Sequence, residues 1–351
     1  MTGGPSFGIG RIRWPWLVAA AIVLLLLPAV TGTNTPALLL IWALFALSLG
    51  LMWGFAGILS FGHAAYFGLG AYTYAIAAMM VGESTGPVLL AIVLPAAVAA
   101  VIGAMMFYGR ISDVYLGVIT LVVTLILFKF MNATAGDAYH IGSVRLGGFN
   151  GIPAFPILNL PGDPNITAFG TPFYYVVSVA LLLCYLLCRW ILGSLFGRVL
   201  IGIRENEARV ELLGYSVPLY KTAIFTISAS MAGLAGCLFA NWAEIVTPGV
   251  FSLGQSAEVL IWTIVGGLGT LVGPIVGAIV LGFLKLLLGQ QTVIDNSLVL
   301  GAILVLVVLL LPSGLLPALG RWRARRERAS VSRRQATSTR RRRGVREREV
   351  A

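Results

Sequence analysis

The sequence predicts an all-α, polytopic membrane protein: a transmembrane helical bundle of about ten spans with both termini in the cytoplasm. Hydrophobic residues make up 58% of the 351-residue chain and charged residues only 11%, for a mean hydropathy of +0.94. A soluble domain carries roughly a quarter charged residues, so much of the surface of this protein must face lipid. Apolar runs of about 20 residues, the length that crosses a bilayer, recur along the chain.

Charges, prolines and glycines divide the apolar sequence into ten segments. The first segment follows Arg11 and Arg13 and could be a signal peptide, but it is long and lacks a clear small-x-small cleavage site. We therefore interpret it as an uncleaved first span. Between residues 255 and 288, a glycine cluster with Pro274 favours either a hairpin or a broken helix. The predicted spans are residues 14–30, 37–54, 57–80, 87–108, 114–131, 172–192, 221–242, 255–270, 273–288 and 297–318.

The orientation follows from lysine and arginine, which concentrate in cytoplasmic loops. With the N-terminus inside, 21 of the 24 basic residues fall in cytoplasmic segments. Only Lys129, Arg145 and Lys285 fall on or near the outer side. We therefore expect a multi-pass protein of a bacterial inner membrane with both ends of the chain inside.

The basic character of the chain resides in its C-terminal tail, residues 321–351. The tail holds 13 arginines against three glutamates, a balance of +10 out of a net +11 for the whole chain. A segment this rich in Arg, Ser and Thr cannot build a core, so we expect a disordered cytoplasmic tail that touches anionic lipid headgroups. It lacks the aromatic platform or fold motif of a nucleic-acid-binding segment, and we expect no nucleic-acid partner. The rest divides into a cytoplasmic segment, 1–13, and a membrane domain, 14–320.

Two connections are too long to be simple turns. The outer loop, about 132–171, is rich in Gly, Pro and Asn, whereas the inner loop, about 193–220, is the most charged stretch outside the tail. In the inner loop, good helix formers run from Arg204 to Leu213 and stop at Gly214, which predicts a short amphipathic helix. Such a helix either lies on the headgroups or docks into a groove of a cytoplasmic partner.

Four motifs, in order along the chain, resemble those of the branched-chain amino acid permease family of ABC importers, the LivM type. The inner-loop motif, FGRVLIGIRENEARVELLGY at residues 196–215, contains an Arg-Glu-Asn-Glu run and a Leu-Gly pair and is followed by Lys221. The resemblance covers about residues 35–318. The other motifs are WGFAGILSFGHAAYFGLGAY (53–72), YLGVITLVVT (115–124) and IVGGLGTLVGPIVGA (264–278).

The resemblance implies a permease that pairs with a second, homologous permease subunit, two cytoplasmic ATPase subunits and an outer substrate-binding protein. The inner helix would then be a coupling helix, with Arg204, Glu205, Asn206 and Glu207 against the ATPase and Gly214 ending the helix. The chain contains no Gly-Lys dipeptide, which a phosphate-binding loop of the usual kind requires. ATP would therefore be bound by the partners, and we expect a transport subunit rather than an enzyme, without a cofactor of its own.

Branched-chain or related amino acids are favoured as the substrate. Urea or a short amide is the alternative, because Ser112 to Tyr115 and Leu200 to Tyr215 also resemble the urea and short-amide branch of the superfamily. A secondary transporter driven by an ion gradient often carries intramembrane carboxylates, which are scarce here. The two histidines, His63 and His140, are assigned to opposite sides of the membrane, and the three cysteines lie in apolar runs without further ligands. These residues favour neither an enzyme nor a metal site.

Three residues are candidates for the transport pathway or its gate: Gly62, His63 and Glu258. His63 lies near the inner end of the third predicted span and is either a hydrogen-bonded packing residue or part of a gate. Gly62 and neighbouring small residues favour close helix packing or local unwinding. Glu258 lies at the entry to an apolar span beside Gln255. Its carboxylate should face a polar cavity or a partner unless it reaches the water outside.

Overall fold

The computed structural model describes residues 22, 24, 25, 28, 32–136, 138–160, 163–288 and 301–302. The predicted spans 14–30 and 297–318 lie almost wholly outside the described residues. The flanking segments 1–13 and 321–351 lie wholly outside them. The described fold therefore comprises the middle of the chain.

The described part of the chain is mostly helical, as predicted. Six of its helices are long and apolar enough to cross a membrane, and five of these begin and end within four residues of a predicted span. The helices are α1 (Asn34–Ala56), α2 (Ala64–Val81), α3 (Thr85–Tyr108), α4 (Asp113–Ala133), α5 (Thr171–Gly193), α6 (Leu195–Glu205), α7 (Glu207–Leu212), α8 (Val217–Ala243), α9 (Leu253–Gly266) and α10 (Val272–Leu288). Those of membrane-spanning length are α1 to α5 and α8.

Short strands form three antiparallel pairs. The pair β3–β6 joins the α4–α5 loop to the end of α8, with Ile152 opposite Val246. We call this end of the bundle the strand end, and the opposite end, which carries α6 and α7, the short-helix end. The strands are β1 (His140–Ile141), β2 (Val144–Arg145), β3 (Ile152–Pro153), β4 (Asn159–Leu160), β5 (Asp163–Thr167) and β6 (Ile245–Val246).

Helix α1 forms the centre of the bundle. Nearly all of its residues from Pro36 onward are buried, as expected for a helix that is apolar on every side. Helices α2 and α8 pack closely because small residues let their backbones meet: a Cβ added to Gly70 would lie 2.1 Å from the carbonyl oxygen of Gly233. By contrast, only about a quarter of α3 and α4 is buried, and apolar residues on their outer faces are suited to lipid.

The glycine-rich stretch near the end of the described chain forms a helical hairpin rather than a broken helix. Gly267 and Gly269 adopt positive φ angles of 114° and 81° between α9 and α10, which suits a residue without a Cβ. A Cβ on Gly266 would lie 1.9 Å from the carbonyl oxygen of Gly273, so the two helices meet in direct backbone contact. At 14 and 17 residues, both helices are shorter than the roughly 20 residues of a typical span.

The prediction of a continuous helix over residues 57–80 is wrong at its start. Gly57 ends α1 in the left-handed conformation (φ 77°), its N–H donating to the carbonyl of Trp53, and α2 begins only at Ala64. We call residues Gly57–His63 the re-entrant segment, because their last residues reach deep between the helices. His63 bonds to Ser48, eight residues before the end of α1, which corresponds to a depth of about 12 Å at 1.5 Å per residue.

Candidate functional site

The inner loop forms two short helices, so the prediction of one continuous helix from Arg204 to Leu213 is wrong. The chain breaks at Asn206, which is extended (φ −160°, ψ 97°). Its side-chain oxygen accepts a hydrogen bond of 2.9 Å from the backbone N–H of Arg209 and so caps α7. Sequence reasoning missed the break because Asn206 lies among good helix formers, although Asn is a preferred N-cap residue. Gly214, with φ 88°, ends this segment as predicted.

Glu207 pairs within the chain. Its carboxylate lies 2.5 Å from the ammonium of Lys221 in the second turn of α8. The Lys221 side chain is only 10% exposed, whereas that of Glu207 is 50% exposed, so the carboxylate bridges a buried cation to the surface. The ammonium of Lys221 also lies 5.9 Å from the centre of the Phe107 ring in α3. Glu207 thus ties α7 to α8 through Lys221, which also lies near α3.

Arg204 points toward the bundle. Its guanidinium donates a hydrogen bond to the main-chain oxygen of Gly54, 150 positions earlier in the chain. A Cβ added to Gly57 would lie 3.1 Å from Cγ of Arg204, so the arginine stem also packs against the first residue of the re-entrant segment. Partial burial lowers the pKa of the guanidinium, and nearby Glu205 raises it in part. An arginine in this setting stays protonated at physiological pH.

A third contact joins the short helices to the turn between α3 and α4. Glu211 accepts a hydrogen bond of 2.9 Å from the guanidinium of Arg110. Arg110 has a positive φ of 50°, which is uncommon for a residue with a Cβ. Both side chains are well exposed, so the pair contributes little to stability. Together with Arg204 and Glu207, it connects α6 and α7, which we call the short-helix pair, to three separate parts of the bundle.

The outer surface of the short-helix pair is charged with an apolar tip. Glu205, Asn206 and Arg209 are exposed. Leu212 and Leu213 are 89% and 71% exposed, unlike the buried Val210 on the same helix. An exposed pair of leucines on a short polar helix is the kind of surface that fills a groove on a partner. The two adjacent leucines ahead of Gly214 are visible in the sequence, but the sequence prediction assigned contact with the ATPase to polar residues alone.

His63 is buried at the end of the re-entrant segment. Its Nε2 lies 2.8 Å from Oγ of Ser48, which donates its own hydrogen to the carbonyl of Phe45. Nδ1 is buried without a hydrogen-bond partner, as is Oγ of Ser60 in the same segment. Such unpaired buried polar atoms are rare in folded proteins and indicate a place where water or a ligand is expected.

Gly62 is the point of tightest packing in the re-entrant segment. A Cβ there would lie 1.8 Å from the carbonyl oxygen of Thr120 in α4. The hydroxyl of Thr124 donates a hydrogen bond of 2.8 Å to the carbonyl of Gly62, eleven residues or about 16 Å along α4. Gly62 therefore shows both features that the sequence predicted for these glycines: it packs closely against α4, and its backbone is not helical. Non-helical backbone at such depth persists only where protein or a polar cavity satisfies it.

Glu258 is paired with Lys285 across the hairpin of α9 and α10. The ammonium lies 2.6 and 2.7 Å from the two carboxylate oxygens, and it also lies 5.2 Å from the centre of the Trp42 ring in α1. The carboxylate therefore has a partner, one of the two outcomes expected for an acid within the bilayer. This pair lies in the half of the bundle toward the strand end, away from His63 and the short-helix pair.

Within the described ranges, no three His, Cys, Asp or Glu side chains lie close enough together to hold a metal ion. The three cysteines are buried free thiols: Cys184, Cys188 and Cys237.

The length of the six apolar helices and the apolar outer faces of α3 and α4 fit a lipid bilayer. This chain is an integral, multi-pass α-helical membrane protein. A family model described as "Branched-chain amino acid transport system / permease component" matches residues 32–309. The match covers well over half of the chain, and the chain belongs to this family. The resemblance to LivM-type permeases that the four motifs carry is thereby confirmed.

Individual relatives agree with the family. The high-affinity branched-chain amino acid transport system permease protein LivM of Escherichia coli (strain K12) is 28% identical over 325 residues, covering 87% of this chain and 72% of that protein. The probable branched-chain amino acid transport permease protein LivM of Methanocaldococcus jannaschii is 24% identical over 329 residues, covering 79% and 90%. The ribose import permease protein RbsC of Escherichia coli (strain K12) is 28% identical over 227 residues, covering 61% and 65%. These relatives are transport subunits rather than enzymes. No solved structure matches the chain significantly.

Proposed function

We propose that this chain is a transmembrane subunit of an ATP-binding-cassette importer in a bacterial inner membrane, with both termini in the cytoplasm. It moves branched-chain or related amino acids inward by alternating access. Separate ATPase subunits bind and hydrolyse the ATP, and the chain itself needs no cofactor. The family supports this function. The observation that carries the mechanism is the short-helix pair, an exposed element joined to the bundle at three points.

The short-helix pair couples the bundle to an ATPase. Leu212 and Leu213 insert into an apolar groove of the ATPase, and the exposed polar groups of Glu205, Asn206 and Arg209 surround them at the rim. An apolar centre with a polar rim is the usual anatomy of a protein interface. Glu207 contributes indirectly, because its carboxylate is engaged with Lys221.

Arg204 transmits the movement to a gate formed by the re-entrant segment. It bonds to Gly54 at the end of α1 and packs on Gly57, where the segment begins. The segment then runs to Gly62 and His63 inside the bundle. A displacement of α6 therefore acts on the base of a non-helical element whose other end lies about 12 Å deep. Interrupted helices at this depth are a common feature of substrate gates in transporters.

The strand end and the membrane-facing surface of the bundle are the places for the remaining partners. An outer substrate-binding protein docks at the strand end, where the α4–α5 loop is built from short strands and tied to α8 by β3–β6. A second, homologous permease subunit completes the membrane unit. Membrane lipid covers the rest. This assignment of sides follows the distribution of the basic residues along the sequence.

The substrate class rests on two observations. Two LivM relatives carry branched-chain amino acid transport in their names, and the matching family has the same description. Urea or a short amide remains the second candidate, because Ser112 to Tyr115 and Leu200 to Tyr215 resemble that branch as well.

The test is uptake by the assembled transporter in proteoliposomes, with the ATPases, the second permease and the binding protein from the same operon. We expect uptake of radiolabelled leucine that requires ATP inside the vesicles and stops when the ATPase is inactivated. Uptake of urea in place of leucine would replace the amino-acid assignment with the urea branch. Leucine uptake that follows an imposed ion gradient without ATP would overturn the proposal in favour of a secondary transporter.

A further inference from the structure

The hairpin of α9 and α10 carries a group of polar side chains that the coupling mechanism does not use. Gln255, Glu258 and Trp262 lie three and four positions apart and so share one face of α9. Lys285 of α10 pairs with Glu258, and Trp262 packs against Trp42 with ring centres 5.3 Å apart and ring planes tilted by 36°. We call Gln255, Glu258, Trp262 and Lys285 the polar face.

The polar face lies within the depth of the bilayer. Lys285 contacts the ring of Trp42, which is eight residues from the start of the central helix α1, or about 12 Å along it. The start of α1 lies at the strand end, because the indole N–H of Trp242, in the last turn of α8, donates a hydrogen bond of 3.0 Å to the carbonyl of Asn34. The ion pair is therefore too deep to be a pair at the membrane surface.

The ion pair is not closed off within the chain. The side chains of Glu258 and Lys285 keep 17% and 26% of their surface exposed. A charged group facing hydrocarbon costs about 2.5–3.5 kcal/mol on insertion scales, and such groups face a protein interior or a water-filled cavity instead. The exposed side of this pair therefore faces a water-filled cavity or another protein surface rather than lipid.

Two hydrogen-bond donors on the same face are left over. Nε2 of Gln255 and Nε1 of Trp262 are buried without a partner, on either side of Glu258 along the helix. A buried donor without an acceptor costs about 1–3 kcal/mol. The polar face thus combines one carboxylate and one ammonium, both partly exposed, with two buried N–H donors that have no acceptor.

We infer that the polar face is a transient binding site for a small zwitterion, an α-amino acid with a free ammonium and carboxylate. Its ammonium pairs with Glu258, and its carboxylate pairs with Lys285 and, once the partly exposed Gln255 side chain turns toward it, with the amide N–H of Gln255. Exchanging one ion pair for two leaves no charge unpaired, whereas breaking a buried pair without replacement is costly. Uncharged urea cannot make this exchange. The inference rests on the proposed function, since it assigns the substrate a place in the pathway.

The competing explanation is a structural clamp that only holds α9, α10 and α1 together. The two roles differ in accessibility, so the first experiment uses Gln255→Cys in the assembled transporter, treated with a charged, membrane-impermeant methanethiosulfonate. The matched control is Phe283→Cys, which lies on the exposed apolar side of α10. The three native cysteines are buried, so the unsubstituted chain gives the background.

We expect Gln255→Cys to react at least about tenfold faster than Phe283→Cys, because a thiolate forms in water and not in lipid. Saturating leucine should slow the reaction, and urea at the same concentration should not. Equal rates at the two positions, or no protection by leucine, would overturn the inference. Because labelling is measured without transport, this result stands apart from the uptake test of the proposed function.

The second experiment separates binding from folding. Glu258→Gln with Lys285→Met removes both charges while keeping similar volumes, and an exchanged pair, Glu258→Lys with Lys285→Glu, restores the clamp in reverse. We expect both double variants to insert and assemble, but to raise the KM for leucine at least about tenfold, a loss of about 1.4 kcal/mol. A neutral double variant with an unchanged KM and maximal rate would show that the pair is a clamp alone.

Discussion

The guanidinium of Arg204 donates a hydrogen bond to the main-chain oxygen of Gly54, which joins the last turn of α6 to the last turn of the central helix α1. Because the arginine also packs on Gly57, one side chain touches both the fixed centre of the bundle and the base of the re-entrant segment. This contact gives the short-helix pair a direct route to the interior.

Removing this contact should uncouple the transporter. We expect Arg204→Gln to assemble with its ATPase and to hydrolyse ATP, but to lose most leucine uptake, because movement of α6 no longer reaches Gly54. The measurement is the ratio of leucine transported to ATP hydrolysed in proteoliposomes. Arg198→Gln, at an exposed position on α6 that has no role in the proposed contacts, is the matched control and should keep that ratio near the unsubstituted value. An unchanged ratio in Arg204→Gln would remove the proposed route.

The pair of Glu207 and Lys221 should behave as a structural tie. Glu207→Ala leaves a cation buried beside Phe107, and we expect a loss of about 1–2 kcal/mol, less than for a fully buried pair because the carboxylate is half exposed. Adding Lys221→Met removes the unpaired charge and should restore most of the stability. Thermal unfolding in detergent measures both changes.

The control for this tie is Glu83→Ala, at an exposed acid far from the short-helix pair, which should change the unfolding temperature little. If Glu207→Ala unfolds at the same temperature as the unsubstituted protein but no longer co-purifies with the ATPase, Glu207 contacts the ATPase directly, as the sequence motif first indicated.

The sequence predicted most of the bundle because lipid imposes a simple rule: each span needs a long apolar run, and the charges between runs mark the ends. It predicted the hairpin of α9 and α10 less completely, since glycines at 266 to 273 favour both a turn and a kink. The wrong interpretations lie at Gly57–His63 and at Asn206. At the first, apolar composition continues across a break that one left-handed glycine, Gly57, produces. At the second, helix-forming composition continues across a break that the capping side chain of Asn206 produces.

The partners of the candidate residues were beyond sequence reasoning. Glu207 and Arg204 were identified as site residues, but their partners, Lys221 and Gly54, are 14 and 150 positions away. Tertiary packing decides such contacts, and no local pattern records them. The pairing of Glu258 with Lys285 has the same origin, because the hairpin turn sets which residues of α9 and α10 face each other.

Gly62 should tolerate no side chain. A Cβ at this position meets the carbonyl of Thr120 at 1.8 Å, and overpacking of a well-packed interior costs about 1–3 kcal/mol or more. We expect Gly62→Ala to lower the amount of protein in the membrane and its unfolding temperature. Gly86→Ala is the matched control, since a Cβ in that first turn of α3 meets nothing within 4 Å. Equal stability of the two variants would show that α4 yields at the re-entrant segment.

The apolar tip of the short-helix pair should decide whether the ATPase binds. Leu212→Gln keeps a similar side-chain length on a short helix, but it removes most of the apolar surface that the groove would bury. Loss of a hot-spot side chain at an interface costs about 2 kcal/mol or more in binding, so we expect the affinity for the ATPase to fall at least about thirtyfold. The fold should be unaffected, because the Leu212 side chain is 89% exposed.

The measurement is binding of the purified ATPase subunit to the permease in nanodiscs, followed by biolayer interferometry. Leu195→Gln is the matched control, because Leu195 is also exposed at the short-helix end but starts α6 instead of ending α7. It should bind the ATPase like the unsubstituted chain. Equal weakening by both substitutions would indicate a general effect of polarity at this surface. Unchanged binding of Leu212→Gln would mean that Leu212 does not anchor the ATPase, and that exposed polar residues of the pair, such as Glu205, Asn206 and Arg209, carry the contact instead.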